Sequence, residues 1–266
     1  MRKLGKAYEQ GGSEFAQAVP EDDSTTQVFH PTSRCLMKYF AYGSNCNPAV
    51  MERKNVPFAS SQHAVLTGFR LLFNKVALRA NLPSGIGFAN INEDPEGTVE
   101  GILYDIADEH LGALDQSERY PDHYTRIEVT VQTAEGDVPC MAYQAQPDKI
   151  ASGLKPSRNY LNHILASKDF LSWQYFDALD KSQTFHDDCA ICRRTSEVVF
   201  IKEDSQLHML CQSCREARLI WGDARGRTLT VVETGTIMTQ LVQNGPGFSS
   251  VKQLIEQAIA AKLIDP

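Results

Sequence analysis

Tyr39-Phe40-Ala41-Tyr42-Gly43-Ser44-Asn45-Cys46-Asn47-Pro48 is the stretch on which the reading of the fold turns. Aromatic residues at 39, 40 and 42, with no charge between them, read as a β-strand. Gly43-Ser44-Asn45 breaks that strand. Asn47-Pro48 then supplies an N-cap and first-turn pair for a helix through Val50, Met51 and Arg53. Strand, glycine turn and helix start bring several backbone N–H groups to one exposed spot, which favours anionic oxygen. Taken alone, the pattern is more often an ordinary strand–turn–helix corner, because glycine turns are common.

Outward from this corner, Val65–Phe73, Val99–Ile106, Thr125–Thr133 and Val138–Gln144 are apolar or alternating runs that predict strands. Gly85, Gly97, Gly101 and Gly136 are turn and bend signals beside them. Glu109–Ser117, Ser157–Leu165 and Phe170–Asp180 predict helices, the last two with apolar faces that close the domain. Many strands and few long helices imply an α+β domain, a mixed sheet or small barrel with helices outside it. Glu118, at the end of the first of these helices, is by composition one acid among 33, and such acids are mostly solvated. Leu114, Tyr120, Pro121 and Tyr124 around it predict an aromatic surround, the kind that raises a carboxyl pKa by desolvation.

Phe40-Ala41-Tyr42-Gly43-Ser44-Asn45 resembles the YGSN signature of the γ-glutamylcyclotransferase family, and further landmarks follow in order. Leu66–Phe73 resembles that family's second strand, Gly85–Ile91 its third and Val99–Asp105 its fourth. Leu114–Glu118, with Tyr124 and Arg126 beyond, resembles its catalytic segment, and Pro156–Leu161 its closing motif. The resemblance covers residues from Lys38 to Ala166. It implies an enzyme that cyclises a γ-glutamyl group to 5-oxoproline and releases an amine or amino acid. Glu118 would be the general acid/base, and the loop Tyr42, Gly43, Ser44, Asn45 would cradle the substrate beside Tyr124, Tyr143 and Tyr160. No catalytic cofactor is implied. The substrate brings its own nucleophile, so no Ser–His–Asp or Cys–His set is required. Two departures bear on substrate choice. Arg119 stands where the family usually has glycine, and could pair with Glu118, while Cys46 replaces the usual leucine and reads as a small buried thiol.

Cys189-x-x-Cys192 and Cys211-x-x-Cys214, eighteen residues apart, form the second landmark. Two such knuckles make a tetrahedral thiolate cage, as in a zinc ribbon, with bonds of about 2.3 Å. Four thiolates fill the shell, so the zinc is expected to be structural and His186 and His208 bystanders. Val198–Ile201 and Leu207–Leu210 predict the intervening strands, and Thr228–Glu233 a further one. Ser250 predicts the cap of a last amphipathic helix carrying Val251, Leu254, Ile255, Ala258 and Ile259. Arg193, Arg194, Arg215, Arg218, Arg225 and Arg227, with Trp221 among them, suggest nucleic-acid docking. Asp187, Asp188, Glu197, Glu203, Asp204, Glu216 and Asp223 balance that charge, so nucleic acid is not expected.

The organisation expected is a flexible polar extension over 1–36, a catalytic domain over 37–181 and a zinc-ribbon-like module with a C-terminal helix over 182–266. A formal net charge of −7 argues against a protein that coats nucleic acid or an anionic membrane. No apolar run is long enough to span a bilayer, and seven cysteines in this pattern suit a reducing compartment, so a cytoplasmic protein is expected. The partners expected are a small γ-glutamyl substrate and a protein docking on the zinc module. The alternative reading is a non-catalytic adaptor that binds a ligand with its sheet and protein or nucleic acid with its ribbon. A related deglutamylating lyase is the nearest enzymatic rival.

Overall fold

The computed structural model describes residues 36–77, 82–244 and 251–261. The expected polar extension, apart from Leu36, and the expected Ser250 cap lie outside the described residues. Five strands close a barrel in the order β1-β3-β2-β4-β5: β1 (Leu36–Ala41), β2 (Ser60–Val76), β3 (Gly87–Ala107), β4 (Tyr124–Thr133) and β5 (Gly136–Ala145). All neighbours are antiparallel except β1 and β5, which meet in parallel at Tyr39 and Met141. Closure leaves the central strands without a free edge.

β1 shows why its sequence lacks polar alternation. Phe40 packs in one core cluster with Ala64, Leu66, Ile91 and Val131, while Tyr39 and Ala41 pack in another with Met51, Ile102, Tyr104 and Leu114. Both faces of the strand are buried, so both are apolar or aromatic. The third and fourth strands expected from sequence are one strand, β3. Its pairing with β2 jumps from Thr67–Thr98 to Phe69–Glu93, so residues 94–97 bulge out opposite Gly68, whose φ of +78° suits glycine. The turn signal at Gly97 is therefore real, but it marks a bulge inside a strand.

Helix α1 (Pro48–Arg53) starts from Asn47, whose side chain accepts the Ala49 amide at 3.0 Å. Helix α2 (Leu111–Glu118) ends at Arg119, in the left-handed conformation with φ +53°. Helix α3 (Arg158–Leu165) is capped by Ser157, and helix α4 (Trp173–Asp180) by Ser172. Ile164 and Leu179 from these two helices close the first cluster.

The C-terminal region holds a three-stranded sheet, β6 (His186–Asp188), β7 (Thr195–Glu203) and β8 (Gln206–Cys211), then α5 (Gln212–Ala224), α6 (Val231–Asn244) and α7 (Val251–Ala260). The strand expected over Thr228–Glu233 is instead the start of α6. Thr230 Oγ1 accepts the Glu233 amide at 3.0 Å, and the Glu233 carboxylate accepts the Thr230 amide at 2.8 Å. That reciprocal capping box outweighs the β-branched run Thr230-Val231-Val232. Fully buried Trp221 of α5 packs with Leu229, Ile237, Met238, Leu241 and Ala258, so it is core and not a stacking surface.

The start of α3 clamps the barrel to this region. The Phe200 amide donates to Asn159 Oδ1 at 2.9 Å, while Asn159 Nδ2 donates to the Phe200 carbonyl at 3.3 Å. Arg158 pairs with Glu197 and Asp180, each at 2.9 Å.

Gly101 lies where β3 passes under β1. A Cβ there would fall 2.2 Å from the Ala41 carbonyl oxygen, and backbone cannot yield as a side-chain tip can. Gly101→Ala is expected to cost about 1–3 kcal/mol of folding stability, read as a lowered urea midpoint at unchanged slope.

Candidate functional site

Glu118 is the last residue of α2, and its side chain turns inward beneath the Gly43–Asn45 turn. Its Oε1 accepts from Lys54 Nζ at 2.8 Å, from Asn45 Nδ2 at 3.1 Å and from Ser117 Oγ at 3.3 Å. Among the described residues no donor reaches Oε2. The carboxylate is thus fixed by one oxygen and free at the other. The side chain is 16% exposed, so these charge-assisted bonds replace most of its hydration.

Asn45 is spent on holding this arrangement. It is 4% exposed; its Nδ2 also donates to Tyr39 Oη at 2.8 Å, its Oδ1 accepts Lys54 Nζ at 2.6 Å, and its carbonyl accepts Tyr104 Oη at 3.0 Å. Lys54 can reach both because α1 is only six residues long and Lys54 is its C-cap.

Glu118, Tyr42, Gly43, Ser44, Asn45, Tyr124, Tyr143 and Tyr160 line one small cavity, joined by Tyr39 and Ala89. Every residue that the sequence marks as a candidate for catalysis or substrate binding therefore converges. The tyrosines are fixed by their own hydroxyls. Tyr42 donates to the Tyr143 carbonyl, Tyr124 to the Ala89 carbonyl at 2.9 Å, and Tyr160 Oη accepts the Ala89 amide at 3.1 Å. Tyr143 donates to Asp115 at 2.6 Å, and Asp115 is paired with Arg126. Burial pushes the phenols of Tyr39, Tyr42, Tyr124, Tyr143 and Tyr160 well above the usual range, and the Glu118 carboxylate adds to each rise. They are neutral donors at any physiological pH.

The aromatic surround expected for Glu118 is only partly present. Tyr124 shares the cavity, but Tyr120 is 40% exposed and stacks over the Arg126 guanidinium at 4.6 Å. The immediate neighbours are polar. Arg119 is exposed, and among the described residues no ion pair joins it to Glu118; the cation there is Lys54. Its left-handed backbone explains why glycine suits the position.

The small cavity shares Ser44, Glu118, Tyr124 and Tyr160 with an outer chamber of about 480 Å³. Lys54, Lys75 and Tyr39 escaped the sequence reading. Lysines carry no local signal of a distant partner, and Tyr39 was legible only as a strand residue.

Residues 39–168 match the family model described as "Gamma-glutamyl cyclotransferase, AIG2-like". The barrel domain is similar to that family over these residues. Curated relatives include a Gamma-glutamylcyclotransferase of Bos taurus, 33% identical over 108 residues, which are 40% of this chain and 57% of the relative. Another, of Homo sapiens, is 32% identical over 107 residues, with the same coverage of 40% and 57%. The chain thus spans about 57% of the length of the curated relatives it matches. A solved structure described as "Gamma-glutamyl cyclotransferase" aligns with a TM-score of 0.50 at 25% identity, covering 61% of this chain and 95% of that one. The matched segment runs from β1 to the turn after α3, and so contains the whole small cavity.

A second candidate centre lies in the C-terminal region. The sulfurs of Cys189, Cys192, Cys211 and Cys214 all lie within 4.8 Å of one another, with Cys192 and Cys211 3.7 Å apart. Tetrahedral thiolates on one ion stand about 3.8 Å apart, given bonds of about 2.3 Å. The donor set therefore fits a bound metal ion. No helix among the described residues is long and apolar enough to cross a membrane.

Cys46 is fully buried, donates to the Ala41 carbonyl at 3.1 Å, and is pushed up to about 12 by burial. A thiolate there would form only in strong alkali, so Cys46 is expected to resist iodoacetamide at pH 8 in the native protein. Peptide mass spectrometry should show it alkylated only after unfolding; rapid native labelling would contradict the burial.

Proposed function

We propose that this protein is a γ-glutamylcyclotransferase-like enzyme that converts a γ-glutamyl amide to 5-oxoproline and a free amine. The observation that carries the reading is the Glu118 carboxylate, anchored through Oε1 with Oε2 open, inside a cavity built by the Tyr42–Asn45 turn. The match of residues 39–168 to the γ-glutamylcyclotransferase family model supports it.

The substrate's α-amine attacks its own γ-carbonyl. The new bond joins the α-nitrogen to the carbonyl carbon, and the bond from that carbon to the leaving nitrogen breaks. Glu118 Oε2 takes the protons that the α-nitrogen loses, first from the ammonium and then from the new ring nitrogen, and the leaving nitrogen gains both, so the amine departs as its ammonium and no water is consumed. Ring closure needs the amine and carbonyl held together, and the tyrosine-lined cavity supplies that restraint. The Gly43–Asn45 turn, ending in a helix start, faces the oxygen on which charge develops. Lys54 and Asn45 hold Glu118 in place. Residues 37–181 form the catalytic unit in this reading, and no catalytic cofactor takes part.

Residues 182–266 form a zinc-ribbon-like module in which Cys189, Cys192, Cys211 and Cys214 hold a structural zinc ion. Four thiolates leave no open position for water, so the ion supports folding and takes no part in the chemistry. A protein partner docking on this module and a cytoplasmic location are further parts of the proposal, the location drawn from the cysteine usage.

Glu118→Gln removes the proton carrier while keeping the hydrogen bonds at Oε1. It is expected to lower 5-oxoproline release from γ-glutamyl substrates by about 10²–10⁴-fold in a protein whose circular dichroism shows the native fold. Undiminished release would exclude Glu118 as the proton carrier. For the second centre, metal analysis is expected to give one zinc per chain, and a strong chelator is expected to lower the melting temperature. Cys214→Ser should abolish stoichiometric zinc; a zinc-free wild type of equal stability would refute the structural role.

A further inference from the structure

Lys75 is the cation that the mechanism leaves unused. It lies near the end of β2 and is 2% exposed, yet among the described residues no acceptor meets its ammonium. Its Nζ lies over the Tyr124 ring, 5.5 Å from the centroid. Burial lowers its pKa to about 8, the Glu118 carboxylate opposing that fall, so it is mostly charged at neutral pH. A buried charge without a partner is costly, and Lys75 opens onto the outer chamber beyond Glu118. That geometry calls for an anion delivered by a ligand.

The chamber's opposite character comes from elsewhere in the chain. Ile86 and Phe88 of the barrel face it, and so do Phe200 of β7 and Leu207 of β8. These last two belong to the hairpin of the four-cysteine module, whose β8 ends at Cys211. Asn159 clamps the backbone of Phe200, and the next residue, Tyr160, lines the inner cavity. A continuous wall therefore runs from the cyclisation site to the second module.

We propose that the outer chamber is a leaving-group subsite that selects amines carrying a carboxylate beside an apolar side chain. Lys75 holds the carboxylate, and Phe88, Phe200 and Leu207 hold the side chain. The inference rests on the cyclotransferase reading of the inner cavity. It makes the C-terminal module a specificity element of the same site, contributing residues to the wall against which the departing amine lies.

The test compares γ-glutamylphenylalanine, γ-glutamylglycine and γ-glutamylphenethylamine as substrates of the full chain with its zinc bound. The last keeps the ring and lacks only the leaving-group carboxylate. Wild type is expected to favour γ-glutamylphenylalanine over each of the others by about tenfold or more in kcat/KM, chiefly through KM. Lys75→Met is expected to erase the preference over γ-glutamylphenethylamine while changing turnover of that amide less than about twofold; Lys75→Arg should keep the preference. Phe200→Ala is expected to erase the preference over γ-glutamylglycine. A wild type that turns over all three without preference overturns the subsite and leaves the cyclotransferase intact. Equal losses on both aromatic substrates in Lys75→Met would place Lys75 on the glutamyl carboxylate, and would also overturn it. No 5-oxoproline from any substrate would sink the cyclotransferase reading and the subsite together. The wild-type comparison stands even if a variant fails to fold.

Discussion

A carboxylate withdrawn from water needs donors, and most of the barrel domain can be understood as the means of bringing them to Glu118. Lys54 and Asn45 approach from the β1–α1 corner, and Ser117 from the turn of α2 before it. Each such bond to a charged group contributes roughly 1.5–3 kcal/mol, and removing a donor leaves the charge exposed to an unfavourable interior. The constraint is reciprocal. Asn45 is itself buried, and its side chain is satisfied only when Tyr39, Lys54 and Glu118 are all in place. The strand, the turn and two helices are therefore mutually dependent around one amide.

The same economy appears where the barrel meets the C-terminal region. Ser157 caps α3, Arg158 and Asn159 reach the β7 strand, and Tyr160 lines the inner cavity. Four consecutive residues thus perform helix initiation, docking and site construction. A helix presents neighbouring residues to different directions, which is what lets one turn serve all three.

Much of this was legible in the sequence because the signals are local. The Gly43 break, the Asn47-Pro48 helix start and the cysteine knuckles each depend on residues a few positions apart. The convergence of Tyr124, Tyr143 and Tyr160 on Glu118 came from the ordered family landmarks. What escaped were choices decided at a distance. Lys54 and Lys75 look like any solvated lysines until the fold brings one to a carboxylate and strands the other over Tyr124. The run Thr228–Glu233 looks β-prone until Thr230 and Glu233 cap each other. Arg119 looked like a partner for Glu118, but its backbone turns left-handed and Lys54 already occupies that role.

The central claim is that the substrate's own amine, assisted by Glu118, displaces the leaving nitrogen with no water taking part. Turnover of a γ-glutamyl dipeptide in ¹⁸O-enriched water addresses it directly. Cyclisation gives 5-oxoproline free of ¹⁸O, equimolar with the released amino acid, and no glutamate. Glutamate bearing ¹⁸O in its γ-carboxyl would show that the cavity activates water instead, and would contradict intramolecular aminolysis.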